Sequence, residues 1–497
     1  MTPAPRPARA LLVAAAGLAA AAAATVAIRR RRHPHDGTGD RFLHRTSRAA
    51  RNLELARMGV RVGTDVASVR ARQVFADAAR RDELRTELEL RTAEEVAATL
   101  GHLKGALMKI GQMASYLDEG LPEPLRMALA GLQQDAPPMS AELAAGVVRA
   151  ELGGDPDDLF ATWDPVPIAA ASIGQVHRAM THDGRAVAVK VQYPGVAEAI
   201  EADLGNAGMI FGSLKAVFPG LDPAPLVGEL RARIVEELDY TQEAANQQLF
   251  VDFYADHPFL HVPAVVHALS SRRVLTTELA AGARFEDVLA WPQADRDRVG
   301  EALFRFVFGS LYRLHAFNGD PHPGNYLFHP DGRITFLDFG LTRHFDDHEV
   351  AVFESMIRAM VVDHDVEGFR AIVERAGLLK AGAPVPTEEV GEYFSHFYEA
   401  VRDDAVVRWT PEYSSATVRR TFASGHPVTR YTNVPASFVI IQRINLGLYA
   451  LLGQLGATGN WRRIAEELWP FVQAAPSTEL GRIEAEWLAV HHPEVHP

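Results

Sequence analysis

Four residues of this chain have the types and the order that phosphoryl transfer from a nucleotide requires. Asp320 and Asn325 lie five residues apart in GDPHPGNYLF, and Asp338 follows in FLDFG. Lys190 lies upstream in AVAVKVQY, where the alternation of a strand would turn its side chain away from its apolar neighbours and toward a cleft. The reaction needs a cation on the phosphates, oxygen ligands for a metal ion and a carboxylate at the acceptor. These four side chains could supply all of these groups.

The spacing D-x-x-x-x-N followed by D-F-G is typical of protein kinases, in which the first Asp lies at the acceptor hydroxyl and the other two residues bind magnesium. Taken one at a time, these residues could equally cap turns, but their order downstream of Lys190 favours the catalytic interpretation. Two usual kinase parts are absent from the sequence, since no G-x-G-x-x-G precedes Lys190 and no A-P-E follows D-F-G. In place of the glycine-rich loop, Ala169–Ala171 predict a stiffer, alanine-rich loop before Ser172 and Gly174.

The hydrophobic pattern predicts a small β-rich lobe between mainly helical segments. Ser172–Ala179 and Arg185–Tyr193 are predicted strands, joined into a hairpin by a turn at His182–Gly184. The other predicted elements that bear on the site are a helix over Leu226–Tyr254 and short strands over Arg273–Glu278, Tyr326–Phe328 and Ile334–Leu337.

An apolar run near the N-terminus predicts a single membrane anchor. Ala10 to Ile28 comprises 19 residues and would span roughly 28 Å as a helix, close to the hydrocarbon thickness of a bilayer. Arg29–Arg32 follow directly, which by the positive-inside rule leaves the C-terminal body in the cytoplasm, at the cell membrane. A cleaved signal peptide is the alternative, and the four arginines argue against it. A second apolar stretch, Phe438–Leu455, contains Gln442 and Asn445 and predicts a buried helix rather than a second span.

Composition narrows the classes of partner and chemistry. The net charge of −13 divides into +9 over residues 1–61 and −22 over the remainder, which suits an anionic membrane surface better than nucleic acid. The absence of cysteine excludes disulfides, thiolate metal sites and cysteine nucleophiles. Only five of the 50 basic residues are lysines, so a lysine is a candidate for a role that needs a compact ammonium group. Two of them, Lys109 and Lys190, lie in motifs.

The motifs PIAAASIGQVHRA…AVAVKVQYPGV, LKGALMKIGQMAS, EELDYTQEAAN and DPHPGN…LDFG resemble the AarF/UbiB family of atypical kinases, over roughly residues 95–345. The resemblance implies an α+β, two-lobed fold similar to protein kinases, with Mg²⁺ and ATP or ADP as ligands. It places the K-x-G-Q motif, Lys109–Gln112, on helices that fold over the nucleotide site with Lys109 pointing into the cleft. It also implies that Glu243 pairs with Lys190. The spacing of Asp239 and Glu243 predicts one face of one helix.

The resemblance and the motifs together assign a role to each candidate residue. The catalytic candidates are Asp320, Lys190 and Lys109. The nucleotide-binding candidates are Ala170, Ala171, Ser172, Lys190, Glu243 and Glu278. Asn325 and Asp338 are the metal ligands, and Gly111, Gln112, Glu237 and Asp239 have structural or regulatory roles.

The predicted organisation is an anchor with a basic flank over residues 1–32, a linker over 33–50, a helical extension over 51–150, a small lobe over 151–282, a large lobe over 283–475 and a tail over 476–497. The function that this implies is a membrane-associated, magnesium-dependent ATPase or phosphotransferase in isoprenoid-quinone or other lipid metabolism. An extension over the peptide site favours a small or lipidic acceptor, with lipid-biosynthesis enzymes as partners. Two alternatives are a nucleotide-gated scaffold for such enzymes that transfers nothing, and a small-alcohol or antibiotic kinase.

Overall fold

A small β-rich lobe is followed by a larger, mainly helical lobe. The computed structural model describes residues 139–171, 173–197, 237–319, 321–421, 426–433 and 436–494. The elements up to residue 278 are helices α1 (Ala141–Leu152), α2 (Pro156–Leu159) and α3 (Tyr240–Phe253) and strands β1 (Thr162–Trp163), β2 (Ala169–Ala171), β3 (Gly174–Met180), β4 (Ala186–Gln192), β5 (Leu260–His261) and β6 (Val274–Glu278).

The large lobe consists of helices around short strand pairs. Its helices are α4 (Phe285–Val288), α5 (Gln293–Leu314), α6 (Asp347–Ile357), α7 (Val366–Arg375), α8 (Thr387–Ser395), α9 (Glu399–Arg402), α10 (Pro411–Thr421), α11 (Ala436–Leu455), α12 (Trp461–Leu468) and α13 (Glu479–His491). Its strands are β7 (Ala316–Asn318), β8 (Tyr326–Phe328), β9 (Ile334–Phe336), β10 (Thr342–His344), β11 (Val407–Arg408) and β12 (Thr458–Gly459).

The sheet of the small lobe is antiparallel, in the order β1-β3-β4-β6, with β2 also paired to β3. The predicted hairpin is confirmed as β3 and β4, whose turn includes Gly184 at a φ of 85°. Alternation along β4 buries Val187, Val189 and Val191 on one face, where they pack against α1 in one hydrophobic cluster. Helix α1 is therefore part of this lobe, so the lobe begins earlier in the chain than the predicted boundary at residue 150.

Two local predictions near the site are wrong. Ala169–Ala171 are not a loop but strand β2, in which Ala169 pairs with Val176 of β3. The helix predicted over Leu226–Tyr254 is interrupted, because α3 begins at Tyr240 with Asp239 as its N-cap. The Asp239 carboxylate accepts a hydrogen bond from the Thr241 amide, as N-cap side chains do, so Asp239 and Glu243 do not share one helix face.

Helix α11 contains the second apolar stretch and packs into the core of the large lobe. Ile444, Leu448 and Leu452 are among its buried side chains, which confirms the prediction of a buried helix. Within the described ranges, no helix combines the length and the hydrophobicity that crossing a bilayer requires. The predicted anchor, Ala10 to Ile28, lies outside these ranges.

A buried polar network joins α5 to the C-terminal helices. Arg305, 1% exposed, donates to Glu301 at 2.7 Å, to Glu484 at 2.9 Å and to Glu467 at 2.6 Å. Arg313 donates to the second oxygen of Glu484 at 2.6 Å. The paired cations and carboxylates satisfy one another away from water, so the network fixes α12 and α13 on α5.

His257 contacts this network as a buried neutral imidazole, and we predict that it makes the fold sensitive to acid. Its Nδ1 accepts the amides of Phe259 and Leu260 at 3.3 and 3.0 Å, and burial lowers its pKa to about 3. The unfolded chain takes up a proton near the ordinary pKa of about 6.5, whereas the folded chain does not. The free energy of unfolding should therefore fall as the pH drops below about 6.5, by up to roughly 1.4 kcal/mol per pH unit from this residue.

The measurement is urea unfolding between pH 6.5 and 4.5 in the wild type and in His257→Asn, which keeps an acceptor near the Nδ1 position. The variant should show a shallower loss of stability with falling pH. The exposed His182→Asn is the control and should keep the wild-type slope. Equal slopes in all three proteins would contradict the assignment of this acid sensitivity to His257.

Candidate active site

An ion pair between β4 and α3 lies at the centre of the site. Lys190 Nζ is 2.8 and 2.9 Å from the two carboxylate oxygens of Glu243, and the side chains are 19% and 6% exposed. The Nζ atom also lies 4.9 Å from the ring centroid of Tyr240. Strand alternation turns Lys190 away from Val189 and Val191, as the sequence predicted.

Electrostatics keep this lysine charged. Burial lowers the pKa of Lys190, but the charges of Glu243 and Asp338 outweigh burial and leave the pKa well above its ordinary value. Burial raises the pKa of Glu243, against the opposing charge of Lys190. The negative charges of Asp338 and Glu237 raise it further. The lysine is therefore a fixed positive charge held in an extended pose.

Asp338 completes the charged cluster from the other side. Its Oδ2 lies 3.9 Å from Lys190 Nζ, while its Oδ1 accepts the amide of Gly340 at 2.9 Å. Gly340 leaves little room, because a Cβ there would lie 3.3 Å from Asp338 Oδ1 and 3.6 Å from Glu243 Oε2. Residue 340 must therefore be small for the two carboxylates to approach the same lysine.

Short strand pairs connect the segment that carries Asn325 to the segment that carries Asp338. Strand β7 pairs with β10, and β8 pairs with β9. Between these pairs the amide of Leu337 donates to Asn325 O at 2.9 Å, and Asn318 Nδ2 donates to Asp338 O at 2.7 Å. His322 Nδ1 accepts the amide of Gly324 at 3.0 Å and shapes the turn before Asn325. The two predicted metal ligands thus lie on adjacent, hydrogen-bonded segments.

Asn246 connects α3 to the D-F-G segment, and its role was missed from the sequence. Its Nδ2 donates to Phe339 O at 3.2 Å, and its Oδ1 lies 3.0 Å from Nε2 of His344. Phe250, one turn further along α3, packs against Phe339 with ring centroids 4.8 Å apart. The helix that carries Glu243 and the segment that carries Asp338 are therefore held together by one amide and one aromatic contact. The only available signal was the position of Asn246 at the end of EELDYTQEAAN.

The positions of the remaining predicted site residues give less direct support to their predicted roles. Ala170 and Ala171 lie in β2, the short strand that pairs with β3. Glu278 ends β6, three positions after the partner of Lys190, Leu275, so it faces the opposite side of the sheet and contacts His261 at 3.4 Å. Its role as a nucleotide contact stays a prediction. Five predicted site residues lie outside the described ranges: Lys109, Gly111, Gln112, Ser172 and Asp320.

The donor set fits a magnesium–nucleotide complex. The Oδ2 atom of Asp338 faces a buried ammonium group, and an oxygen ligand beside a lysine is the arrangement that a divalent cation and phosphate oxygens require. Asp338 and Asn325 would hold the ion, and Lys190 would contact phosphate. In the described part of the chain, no group of three or more His, Asp or Glu side chains forms an independent metal cluster.

Comparisons with known proteins identify the family of this chain. The profile of the ABC1 atypical kinase-like domain matches residues 131–373. A solved structure, the complex of Rv3197 with erythromycin from Mycobacterium tuberculosis, is similar with a TM-score of 0.58 and 34% sequence identity, covering 78% of this chain and 98% of that chain. The chain belongs to the AarF/UbiB family of atypical kinases. The predicted resemblance and the kinase-like α+β fold are confirmed.

Two curated relatives from the AarF/UbiB family align with this chain over only about half of their own length. Atypical kinase COQ8B, mitochondrial, of Rattus norvegicus is 37% identical over 269 residues, which cover 53% of this chain and 51% of the relative. Atypical kinase coq-8, mitochondrial, of Caenorhabditis elegans is 31% identical over 393 residues, which cover 74% of this chain and 49% of the relative. The chain spans about half the length of these curated relatives.

Gly447 of α11 lies against Pro321 of the candidate catalytic loop, and we predict that Gly447→Ala impairs turnover. A Cβ at this position would overlap Cγ of Pro321, which follows the candidate catalytic Asp320. The overlap must shift either α11 or the loop, and a misplacement of about 1 Å can reduce a rate by about 10²-fold. Nucleotide turnover should therefore fall by about ten- to a hundredfold, measured as phosphate release from Mg-ATP.

The matched control is Gly146→Ala in α1, where an added Cβ meets no atom within 4 Å. That variant should keep wild-type turnover and gain slightly in stability, because alanine favours a helix over glycine. Unchanged turnover in Gly447→Ala would show that the contact with Pro321 does not position the loop.

Proposed function

We propose that this protein is a membrane-associated, magnesium-dependent atypical kinase or ATPase. The observation that carries the proposal is the buried Lys190–Glu243 ion pair, with Asp338 3.9 Å from the same Nζ atom. A lysine held by a carboxylate beside a metal-binding aspartate is the arrangement that phosphoryl transfer uses. A chain that served only as a scaffold would not need this cluster.

Each residue has a defined task in this proposal. Glu243 holds Lys190 extended, so that its ammonium group contacts phosphate oxygens of the nucleotide. Asp338 and Asn325 hold the magnesium ion, which neutralises negative charge on the phosphates when it is bound. Asp320 accepts the proton of the attacking hydroxyl or water. These groups orient the phosphates and stabilise charge, which is the main protein contribution to this chemistry.

The substrate class that we propose is a lipid or an isoprenoid-quinone precursor. Three features support it: the predicted anchor of residues 10–28, the positive charge of residues 1–61, and the absence of the A-P-E motif of peptide kinases from the sequence. We place the catalytic body on the cytoplasmic side of the cell membrane, because Arg29–Arg32 follow the apolar run. Lipid-biosynthesis enzymes are the proposed partners.

The test is phosphate release by the full-length chain in detergent with dispersed lipid and Mg-ATP. Asp338→Asn and Asp320→Asn should lose turnover and keep their folds. Asp331→Asn is the control, because Asp331 is exposed and forms a surface ion pair with the nearby Arg333 at 2.8 Å. If nucleotide binds but all four proteins give the same background, phosphoryl transfer is excluded and a nucleotide-gated scaffold becomes the working function. Transfer of the phosphoryl group from ATP to a soluble alcohol, in place of a lipid, would identify a small-alcohol kinase.

A further inference from the structure

Tyr240 begins helix α3 beside the candidate phosphate site and has no role in the mechanism proposed above. Its ring centroid lies 4.9 Å from Lys190 Nζ, and the residue is 2% exposed. Of the residues that the structure describes, Tyr240 has the only ring within cation–π distance of this ammonium group. Glu243, which binds the same ammonium, is three positions further along α3. The ring and the carboxylate therefore approach Lys190 from neighbouring positions on one helix face.

Packing fixes the ring in this position. Tyr240 lies in one hydrophobic cluster with Leu275, and Leu275 pairs with Lys190 across strands β4 and β6. The hydroxyl lies against the start of β3, because a Cβ on Gly174 would lie 3.0 Å from it. The amide of Tyr240 donates to Arg272 O at 2.9 Å, which ties its backbone to the turn before β6. The ring therefore has little freedom to tilt or to withdraw from the lysine.

Tyr240 is an uncharged neighbour of this lysine. Burial raises the pKa of the Tyr240 hydroxyl, so the group stays a neutral phenol. A neutral ring attracts a cation through the negative charge of its π face, and this attraction is strongest where water is excluded. The site meets this condition, because the Lys190 side chain is only 19% exposed.

A lysine at a phosphate site needs such support because its side chain is flexible. Four carbon atoms separate the ammonium from the Cα atom, and a misplaced charge stabilises the reacting phosphates poorly. Glu243 restrains the ammonium of Lys190, but it also draws the positive charge toward itself and away from phosphate. An aromatic ring has no net charge, so it can hold the ammonium without this competition.

We propose that Tyr240 is a positioning residue of the phosphate site, and that its ring holds the Lys190 ammonium where nucleotide phosphate can meet it. The inference rests on the proposed function, because it assigns the contact with phosphate to Lys190. It adds a determinant of nucleotide affinity that the charged residues do not supply.

Calorimetric titration of the full-length chain with Mg-ADP tests the proposal, since ADP supplies phosphates without turnover. Tyr240→Leu should raise the Kd about tenfold, the factor for one cation–π contact shielded from water. Tyr240→Phe keeps the aromatic face and should bind within about twofold of the wild type. Tyr193→Leu is the matched control and should keep the wild-type Kd. Tyr193 packs against the same hydrophobic cluster, but within the described ranges its ring is not in cation–π contact with Lys190.

A double variant separates positioning from general packing. Lys190→Met removes the ammonium that the ring holds, so adding Tyr240→Leu to it should change the Kd no further. A purely structural role of Tyr240 would instead give the same tenfold change in both backgrounds. Should Tyr240→Leu fail to fold, Tyr240→Met fills the space without a π face and takes its place in the same comparison.

The proposal is overturned by equal changes in the two backgrounds, by an unchanged Kd in Tyr240→Leu, or by a Tyr240→Phe that binds as weakly as Tyr240→Leu. A wild type that binds no Mg-ADP overturns it together with the proposed function. A wild type that binds Mg-ADP but releases no phosphate from Mg-ATP would refute phosphoryl transfer alone, and the comparison of Kd values would still decide the role of Tyr240.

Discussion

Lys190→Met is expected to reduce the kcat/KM of ATP turnover by about 10²–10³-fold, since it removes a fixed positive charge from the phosphate site. The side chain keeps a similar length, so the strand and its packing remain. Glu243 loses the opposing charge that limits the rise of its pKa on burial, and it will therefore take up a proton rather than remain a buried anion. The variant should fold, and the loss should lie in catalysis.

Phosphate release, together with thermal unfolding of each protein, measures this effect. Lys190→Arg should fail as well, because a planar guanidinium cannot replace a compact ammonium between Glu243 and Asp338. Lys380→Met changes an exposed lysine and should behave as the wild type. Substantial turnover in Lys190→Met would show that the ion pair is structural and would remove the main support for the proposed function.

Arg305→Met is expected to be the most destabilising single change in the large lobe, with a loss of about 3–5 kcal/mol. Arg305 is bonded to three carboxylates and also donates to Thr478 Oγ1 at 3.0 Å. Methionine fills much of the volume but leaves Glu467, 6% exposed, without its cation, and leaves Glu484, 2% exposed, with Arg313 alone. Removing one partner of a buried network costs far more than the net stabilisation that the network provides.

Urea unfolding followed by tryptophan fluorescence gives the change in the free energy of unfolding. The comparison is Arg333→Met, whose pair with Asp331 is exposed on both sides and should contribute no more than about 1 kcal/mol. The double variant Arg305→Met, Glu467→Gln should recover part of the loss, because it removes the buried carboxylate that is left without its cation. Equal effects of Arg305→Met and Arg333→Met would show that the buried network adds nothing beyond a surface pair.

The ionic part of the site was predictable because its signals are local. Strand alternation alone turns Lys190 out of the apolar face of β4, and the order of Asn325 and Asp338 predicts the segments that would bind the metal ion. The partner of Lys190 is 53 residues away, and only the family resemblance pointed to Glu243. Its contact depends on how α3 packs against the sheet, which no spacing within the sequence encodes.

Other features were decided by tertiary contacts. Alanine has a low preference for strands, yet Ala169–Ala171 form one because the neighbouring β3 offers its backbone hydrogen bonds. Asp239 lay in a run that looks helical, and its preference for N-cap positions was the signal against continuation. Asn246 and His344 are 98 residues apart, so their hydrogen bond has no pattern in the sequence.

The double contact of Asn246 has a consequence for regulation. Kinase-like switches often work by moving the glutamate-bearing helix away from the lysine, which changes the population of the active state. Here that movement would break the bonds of Asn246 to Phe339 and His344 and separate Phe250 from Phe339. The assembled arrangement is therefore preorganised, and an incoming nucleotide loses little free energy in ordering it. We therefore expect control of such a protein to act on a later step, such as delivery of the acceptor, rather than on assembly of the lysine–glutamate pair.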